Sequence, residues 1–248
     1  MRKRSTIEEW ETIIAAIENC TVIDDVMNIM HNRMKYLGFD RSAYWLRWPR
    51  NEQQEPILLT SYPQDFVAHY VANDFAAHDM VGKLSINTNR PFSWEEIAQR
   101  YHITKEQKRI FYDSGSVGLR EGASVPIHGP NLMKATFSVA SNLPKKEFED
   151  LFNFHRHEVH TLATYAHEKM LSLGLGDNED NEIEDLTPRE KEIMLWIVRG
   201  ETYEEVADRL FIQKDTVKKH LMNIRRKLRA TNGPHATSVC LTRGILIP

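Results

Sequence analysis

The residues from 214 to 229 carry the most legible chemistry in the chain. Lys218, Lys219, Met222, Arg226 and Arg229 fall on one side of a helical repeat, with Lys214 and Arg225 toward its edges. Val217, Leu221, Ile224 and Leu228 recur on the other side at helical spacing and form one apolar stripe. Long cations held rigidly opposite a core stripe can neutralise phosphates and reach base edges in the DNA major groove. A solvated helix of an ordinary bundle would show the same charge pattern, so the flanking elements have to decide. Other chemistries are less well supported. His155, His157, His160 and His167 crowd one stretch together with Glu158. The histidines of His157-Glu158-Val159-His160 sit three apart, not at the HExxH zinc spacing, and no third ligand is signalled. A helix surface, for instance at a dimer interface, accounts for them, and no metal is expected. No glycine-rich phosphate loop, nucleophile elbow or paired catalytic carboxylates stand out, so no enzyme is expected.

The elements that must hold the basic face carry their own start and stop signals. Thr187-Pro188-Arg189-Glu190 is a capping box with proline at the first helical position. Ile193, Trp196 and Ile197 then share one apolar face, and Gly200 is a helix stop. Thr202-Tyr203-Glu204-Glu205 is a second capping box. Short helix, tight turn and basic helix together make a helix-turn-helix, whose second helix enters the major groove.

Leu186 to Leu228 resembles the C-terminal DNA-binding domain of LuxR-type regulators. Glu190, Gly200, Thr216, Val217, His220, Asn223, Lys227 and Leu228 fall on family positions. Met194, Val206 and Gln213 depart from the usual leucine, isoleucine and serine. Losing the serine cap costs about 1 kcal/mol, and Asp215 can place a carboxylate in the first turn instead. The DNA-facing set is then Lys218, Lys219 and Met222 toward base edges, with Thr202, Lys214, Arg225 and Arg226 on phosphates and Thr216 beside them.

With 248 residues the chain can hold two domains, each with its own core. No stretch is long and apolar enough to span a membrane. Met-Arg-Lys-Arg-Ser is followed by no apolar run, so it is not read as a secretory signal. Cys20 and Cys240 form no metal spacing, and neither a disulfide nor a location outside the cytoplasm is expected. The net charge of -3 hides an asymmetry: from Leu186 onward 12 Lys+Arg face 7 Asp+Glu, a balance of +5 against -8 before it. A basic module on an acidic body fits nucleic-acid binding by that module alone.

The N-terminal part alternates helices and strands. Ser5–Asn19 is amphipathic, and Thr21 is a candidate cap for a helix that runs to Leu37 and stops at Gly38. Residues 41–48 and 57–62 alternate as strands, with Pro63 opening a helix toward Val71. Pro91-Phe92-Ser93-Trp94 is an extended link, followed by helices over 95–100 and 105–114. Ala123–Ile127 and Ala135–Ala140 are strands around a turn at Gly129-Pro130-Asn131, and a long helix runs from Pro144 to about Leu171. The fold class is therefore α/β: an N-terminal α/β/α sandwich with a central antiparallel sheet, plus a C-terminal all-α helix-turn-helix domain. The domains are 1–173, an acidic linker over 174–185, and 186–248. The linker holds two glycines, two asparagines and six acids, which reads as solvated and flexible. The alternative reading is that its charge screens the basic module from DNA.

Residues from about Leu37 to Ala140 also resemble LuxR-type regulators, here the domain that binds acyl-homoserine lactones. The landmarks are Ser61-Tyr62-Pro63, Tyr70, Asp79, Pro91-Phe92-Ser93-Trp94, Gly118-Leu-Arg-Glu-Gly122, Val125-Pro126-Ile127 and Ser138. The resemblance implies that Asp79 accepts the ligand amide N–H, and that Tyr62 and Ser138 donate to the amide carbonyl. Trp94 packs on the lactone ring, and Tyr70 lines the acyl tail. Two ligand positions depart: Phe66 replaces a tryptophan whose N–H serves the lactone carbonyl, and Met80 replaces a proline. Trp45 on the first strand is a candidate to face the pocket and shorten its tail cavity. Without this resemblance the aromatics would read as ordinary core, and Asp79 as a cap. The resemblance implies a quorum-sensing regulator acting as a homodimer on a pseudo-palindromic DNA site, with RNA polymerase as a further partner. Its small signal is an acyl-homoserine lactone and it has no cofactor; the alternative is a LuxR-type regulator that is ligand-independent or takes a non-lactone signal.

Overall fold

Alternation along the strands decides the layers of the first unit. The computed structural model describes residues 6–47, 56–129, 133–176 and 184–246. Strands β1 (Arg41–Arg47), β2 (Ile57–Thr60), β3 (Phe92–Ser93), β4 (Glu121–His128) and β5 (Lys134–Ser141) form one antiparallel sheet in the order β2-β1-β5-β4-β3. Tyr44, Leu46, Val125, Ile127, Phe137 and Val139 point to one face and are buried in the main core. Helices α1 (Ile7–Glu18), α2 (Ile23–Leu37) and α8 (Lys145–Ser172) cover that face. The long α8 matches its sequence reading because Phe148, Leu151, Phe152, Val159, Leu162, Ala166 and Met170 form one buried helical stripe.

The other face presents Ala43, Trp45, Gly122, Ser124, Pro126, Thr136, Ser138 and Ala140, as the strand register requires. Shorter helices lie on this side: α3 (Gln64–Ala72), α4 (Phe75–His78), α5 (Met80–Ser85), α6 (Trp94–Arg100) and α7 (Lys105–Ser116), of which α5 and α6 pack directly on β4. The sequence reading made no assignment between Val71 and Arg90, where α4 and α5 are too short to show a period.

Several local readings change. Thr21 does not cap α2: Val22 occupies the cap position without a side-chain bond, while Gly38 closes the helix at φ 105°. The first helix is capped by Thr6, through a capping box with Glu9. The link Phe92–Ser93 is strand β3, paired with Ala123 and Ser124. Trp48, Pro130 and Asn131 lie outside the described residues, as does most of the acidic run. The histidine cluster is a helix surface only in part: His157 is exposed and His160 half-buried, whereas His155 and His167 point inward. His155 and His167 are 5% and 1% exposed. His155 lies 3.6 Å from Glu158, which Arg33 binds at 2.8 and 2.5 Å. His167 bonds the Tyr44 hydroxyl at 2.7 Å. Among the described residues no group of three or more His, Cys, Asp or Glu side chains could hold a metal ion.

The chain divides between Gly176 and Asp177 into two compact units. The second contains α9 (Pro188–Val198), α10 (Tyr203–Arg209), α11 (Lys214–Lys227) and α12 (Gly233–Thr242), the last without a counterpart in the sequence reading. Ile193, Met194, Val206, Val217, Ile224, Leu228 and Cys240 form its core. Both capping boxes are present, and Gly200 ends the α9 segment at φ 92°. Arg199 and Arg209 lie over the Trp196 ring, 4.9 and 4.2 Å from its centroid. Cys20 and Cys240 are free, buried thiols, and no described helix is long and apolar enough to cross a membrane.

Candidate ligand pocket and nucleic-acid interface

Phe66 and Tyr70 fall at i and i+4 on α3, and Tyr62, just before the Pro63 cap, brings its ring against Phe66. The Phe66 ring centroid lies 6.4 Å from that of Tyr62 and 6.2 Å from that of Tyr70. Together with Trp94, Val117, Leu119 and Ala140 they form a second apolar cluster, separate from the main core and on the opposite face of the sheet. Asp79 meets this cluster through its carboxylate: the Tyr70 hydroxyl donates to Oδ2 at 2.8 Å, and the Val81 N–H donates to Oδ1 at 2.7 Å. Burial pushes the Asp79 carboxyl up, while the donors from Tyr70, Val81 and Gly82 pull it back. Three donors leave one of the carboxylate's roughly four lone-pair sites, so it can still accept a ligand N–H. Burial and the nearby Asp79 charge raise the Tyr62 phenol, which stays a neutral donor. Its hydroxyl bonds no described residue.

A relay links the tryptophan to the sheet. The Trp94 Nε1–H donates to Ser124 Oγ at 3.0 Å, and Ser124 Oγ lies 2.9 Å from Ser138 Oγ. With Ser124 donating onward, the Ser138 proton is left for a ligand carbonyl. The Trp94 ring lies on the backbone of Gly122, where an added Cβ would come within 2.5 Å of it. Gly122 is thus required by close approach, not by its backbone angles. Ser124 was not singled out in the sequence, although alternation on β4 and its register partner Ser138 place it on this face. Thr136 and Ser85 were missed as well. Trp45 pairs with Thr136 across β1 and β5, which puts it on the ligand-side face. Met80 begins α5, half-buried and outside the aromatic cluster.

On α11 the buried stripe Val217, Leu221 and Ile224 leaves Lys218, Lys219, Met222 and Arg226 exposed, with Met222 at 62%. Thr216 and Arg225 are half-buried at its edges. The cations are largely bracketed by acids of the same unit. Lys214 pairs with Glu204, Lys218 with Asp215 at 2.9 Å, and Arg226 with Glu184 at 2.5 and 3.1 Å. Each of these carboxyls is held below its usual range, first of all by the hydrogen bond from its cation. Gln213 makes no side-chain cap. Thr202 is occupied as the cap of α10, bonding Glu205 through its hydroxyl and N–H. Lys227 instead points inward: its Nζ lies 2.7 Å from Glu190, with side chains 15% and 5% exposed. Glu190 therefore closes the first capping box and ties α11 to α9.

Residues 23–170 match the family described as autoinducer binding domain, and residues 184–240 match the LuxR family of bacterial regulatory proteins. The transcriptional activator CarR of Pectobacterium carotovorum is 25% identical over 223 residues, covering 88% of this chain and 91% of CarR. The quorum sensing-dependent regulator RpaR of Rhodopseudomonas palustris is 31% identical over 196 residues, covering 77% of this chain and 76% of RpaR. The crystal structure of Escherichia coli SdiA superposes with a TM-score of 0.75 at 20% identity, over 97% of this chain and 99% of that one. SdiA in complex with octanoyl-rac-glycerol gives 0.73 at 20% identity, over 99% and 98%.

Proposed function

The chain belongs to the LuxR-type quorum-sensing transcriptional regulators, with an autoinducer-binding domain ahead of its DNA-binding helix-turn-helix, and on that premise we propose that its signal is an N-acyl-homoserine lactone. Asp79 accepts the amide N–H, Tyr62 and Ser138 donate to the amide carbonyl, and the ring packs on Trp94 above Gly122. The observation that carries this reading is the desolvated Asp79 carboxylate beside the unpaired Tyr62 hydroxyl, a fixed acceptor and donor that suit an amide. The filled pocket favours a homodimer that sets two α11 helices into half-sites about 34 Å apart. Lys218, Lys219 and Met222 face base edges, while Lys214, Arg225 and Arg226 hold phosphates, with Thr202 and Thr216 at the margin. The protein works in the cytoplasm, where RNA polymerase is its further partner.

Phe66 supports a second reading. It sits in the aromatic cluster without an N–H, so nothing there serves a ring carbonyl. A head group with hydroxyls in place of the lactone would need none. Thermal unfolding against a panel of acyl-homoserine lactones and octanoyl glycerol tests both readings. A ligand at about 100 times its Kd adds roughly 2.7 kcal/mol to the folded state. Stabilisation by a lactone is expected. Stabilisation by octanoyl glycerol alone selects the second reading, and stabilisation by neither in a well-folded protein refutes both in favour of a ligand-independent regulator.

A further inference from the structure

Two hydroxyls on the ligand side of the sheet are buried and bond no described residue. Thr136 Oγ1 and Ser85 Oγ have no hydrogen-bond partner among the described residues, and their residues are only 4% and 2% exposed. Burying a hydroxyl without a partner is costly, and native folds rarely do it. Thr136 stands two residues from Ser138 on β5, hence on the same face and about 7 Å away along the strand. The direction matters. Gly122 pairs with Ala140, so the Trp94 subsite lies beyond Ser138 on one side, while Thr136, opposite Trp45, lies on the other. A head group at Trp94 and an amide at Ser138 therefore send the acyl group toward Thr136. Ser85 closes α5 over this end: its carbonyl accepts from the His128 ring at 2.8 Å, and His128 shares the ligand-side face of β4.

We propose that Thr136 and Ser85 form a polar subsite for the far end of the acyl group, and that the signal carries a hydroxyl or carbonyl about 7 Å beyond its amide carbonyl. This rests on the reading of Asp79, Tyr62 and Ser138 as the amide site. A plain alkyl tail would leave both hydroxyls unpaired in the complex. A tail with a distal oxygen pairs them, and Trp45 bounds the length it can take. The subsite sets specificity, and the amide site supplies the anchor.

The test uses N-hexanoyl-homoserine lactone and N-(6-hydroxyhexanoyl)homoserine lactone, whose extra hydroxyl lies at the required distance. Binding to the full chain is measured by calorimetry for the parent, Thr136→Val and Ser85→Ala. The parent is expected to favour the hydroxylated probe by about tenfold or more, and Thr136→Val to lose that preference while still binding the hexanoyl probe. Equal affinity of the parent for both probes overturns the subsite and leaves the amide site standing. A preference that survives in both variants overturns it as well. If neither lactone binds, the lactone reading fails, and the ligand-free melting point decides the subsite. Replacing an unpaired hydroxyl by a methyl should raise the melting point of Thr136→Val, whereas a fall means that the hydroxyl is satisfied within the chain and refutes the proposal.

Discussion

The ligand side of the sheet and the basic face of α11 use similar residues under opposite conditions. On the ligand side, Ser138 is buried and Asp79 and Tyr62 are half-buried, so each hydrogen bond is worth more there and each unpaired atom costs more. On α11, Lys218 and Arg226 stand in water with acids beside them, where each contact is worth little and salt weakens it. On the proposed reading the pocket selects its signal with few groups. The helix, on the same reading, sums many weak contacts, so its DNA affinity should fall with ionic strength.

The largest expected effect tests the pocket half of that contrast. Asp79→Ala should lower signal affinity by about 100-fold, because it removes a charged acceptor from a partly buried site. Asp79→Asn keeps a cap for the Val81 N–H, so it separates signal recognition from the folding of α5. Proton linkage gives an independent check. Burial raises the Asp79 carboxyl, so in the free protein this group favours the fold below its titration and weakens it above. A ligand N–H prefers the charged form, so affinity should fall as pH is lowered through that titration. A calorimetric titration series showing no such fall, or full affinity in Asp79→Ala, breaks the assignment.

Glu190 is the exception inside the DNA-binding unit, a buried charge among exposed ones. Burial alone would raise its carboxyl, but Lys227 and the Thr187 cap outweigh burial and hold it below the usual range. Its contribution to stability is thus present above the unfolded carboxyl value and is lost as pH falls through the folded one. Glu190→Gln should cost about 2–3 kcal/mol, less than a fully buried pair because Lys227 keeps some access to water. Acid unfolding followed by far-ultraviolet circular dichroism should show the variant losing the low-pH step; an unchanged profile would return Glu190 to the ordinary surface class.

How much of this was legible follows the same division. The helix-turn-helix was readable because its signals are local: two capping boxes, one glycine stop and a stripe on one helix. The sheet was readable in its strands but not in its short edge, because two residues of β3 show no alternation. α4 and α5 are likewise too short to declare a period. Asp79 and Trp94 became meaningful only through the family pattern, since an isolated acid or aromatic has commoner fates. Ser124, Thr136 and Ser85 escaped notice because their meaning lies in register and burial, which come from pairing across the sheet. His155 and His167 misled for the same reason: their crowding on α8 is local, but Tyr44 and Arg33 come from elsewhere in the chain.

Within the basic face, neighbouring lysines sharpen the comparison. Lys219 is exposed and makes no ion pair among the described residues, whereas Lys218 must part from Asp215 before it can serve DNA. Lys219→Ala should lower operator affinity by about tenfold if it meets a base edge, and Lys218→Ala by less. Fluorescence polarisation at several salt concentrations separates the roles: a phosphate contact lowers the salt slope by about one unit, while a base contact leaves it nearly unchanged. A smaller effect is expected at the turn before α11. Phe211 is 95% exposed and held at φ 52°, a conformation unfavourable for a bulky side chain. Phe211→Asn should raise stability by at most about 1 kcal/mol in thermal unfolding. If DNA affinity falls in the same variant, the strained aromatic belongs to the interface.

The smallest effect concerns the acid that the chain places against its own DNA-binding helix. Glu184 binds the Arg226 guanidinium through both oxygens, and its N–H donates to the Lys227 carbonyl at 3.1 Å. The Lys227 ammonium also donates to the Asp185 carbonyl at 3.1 Å. The start of the second unit is thereby fastened to the C-terminal turn of α11, where Arg226 would otherwise be free for a phosphate. A phosphate must displace Glu184, and both partners are more than half exposed, so the competition is weak. Glu184→Gln should raise operator affinity about two- to threefold at low salt and have no effect at high salt. That outcome makes the acidic run a mild screen. Equal affinity at every salt concentration makes the Glu184 contact a surface pair of no consequence for DNA, and the linker a plain tether.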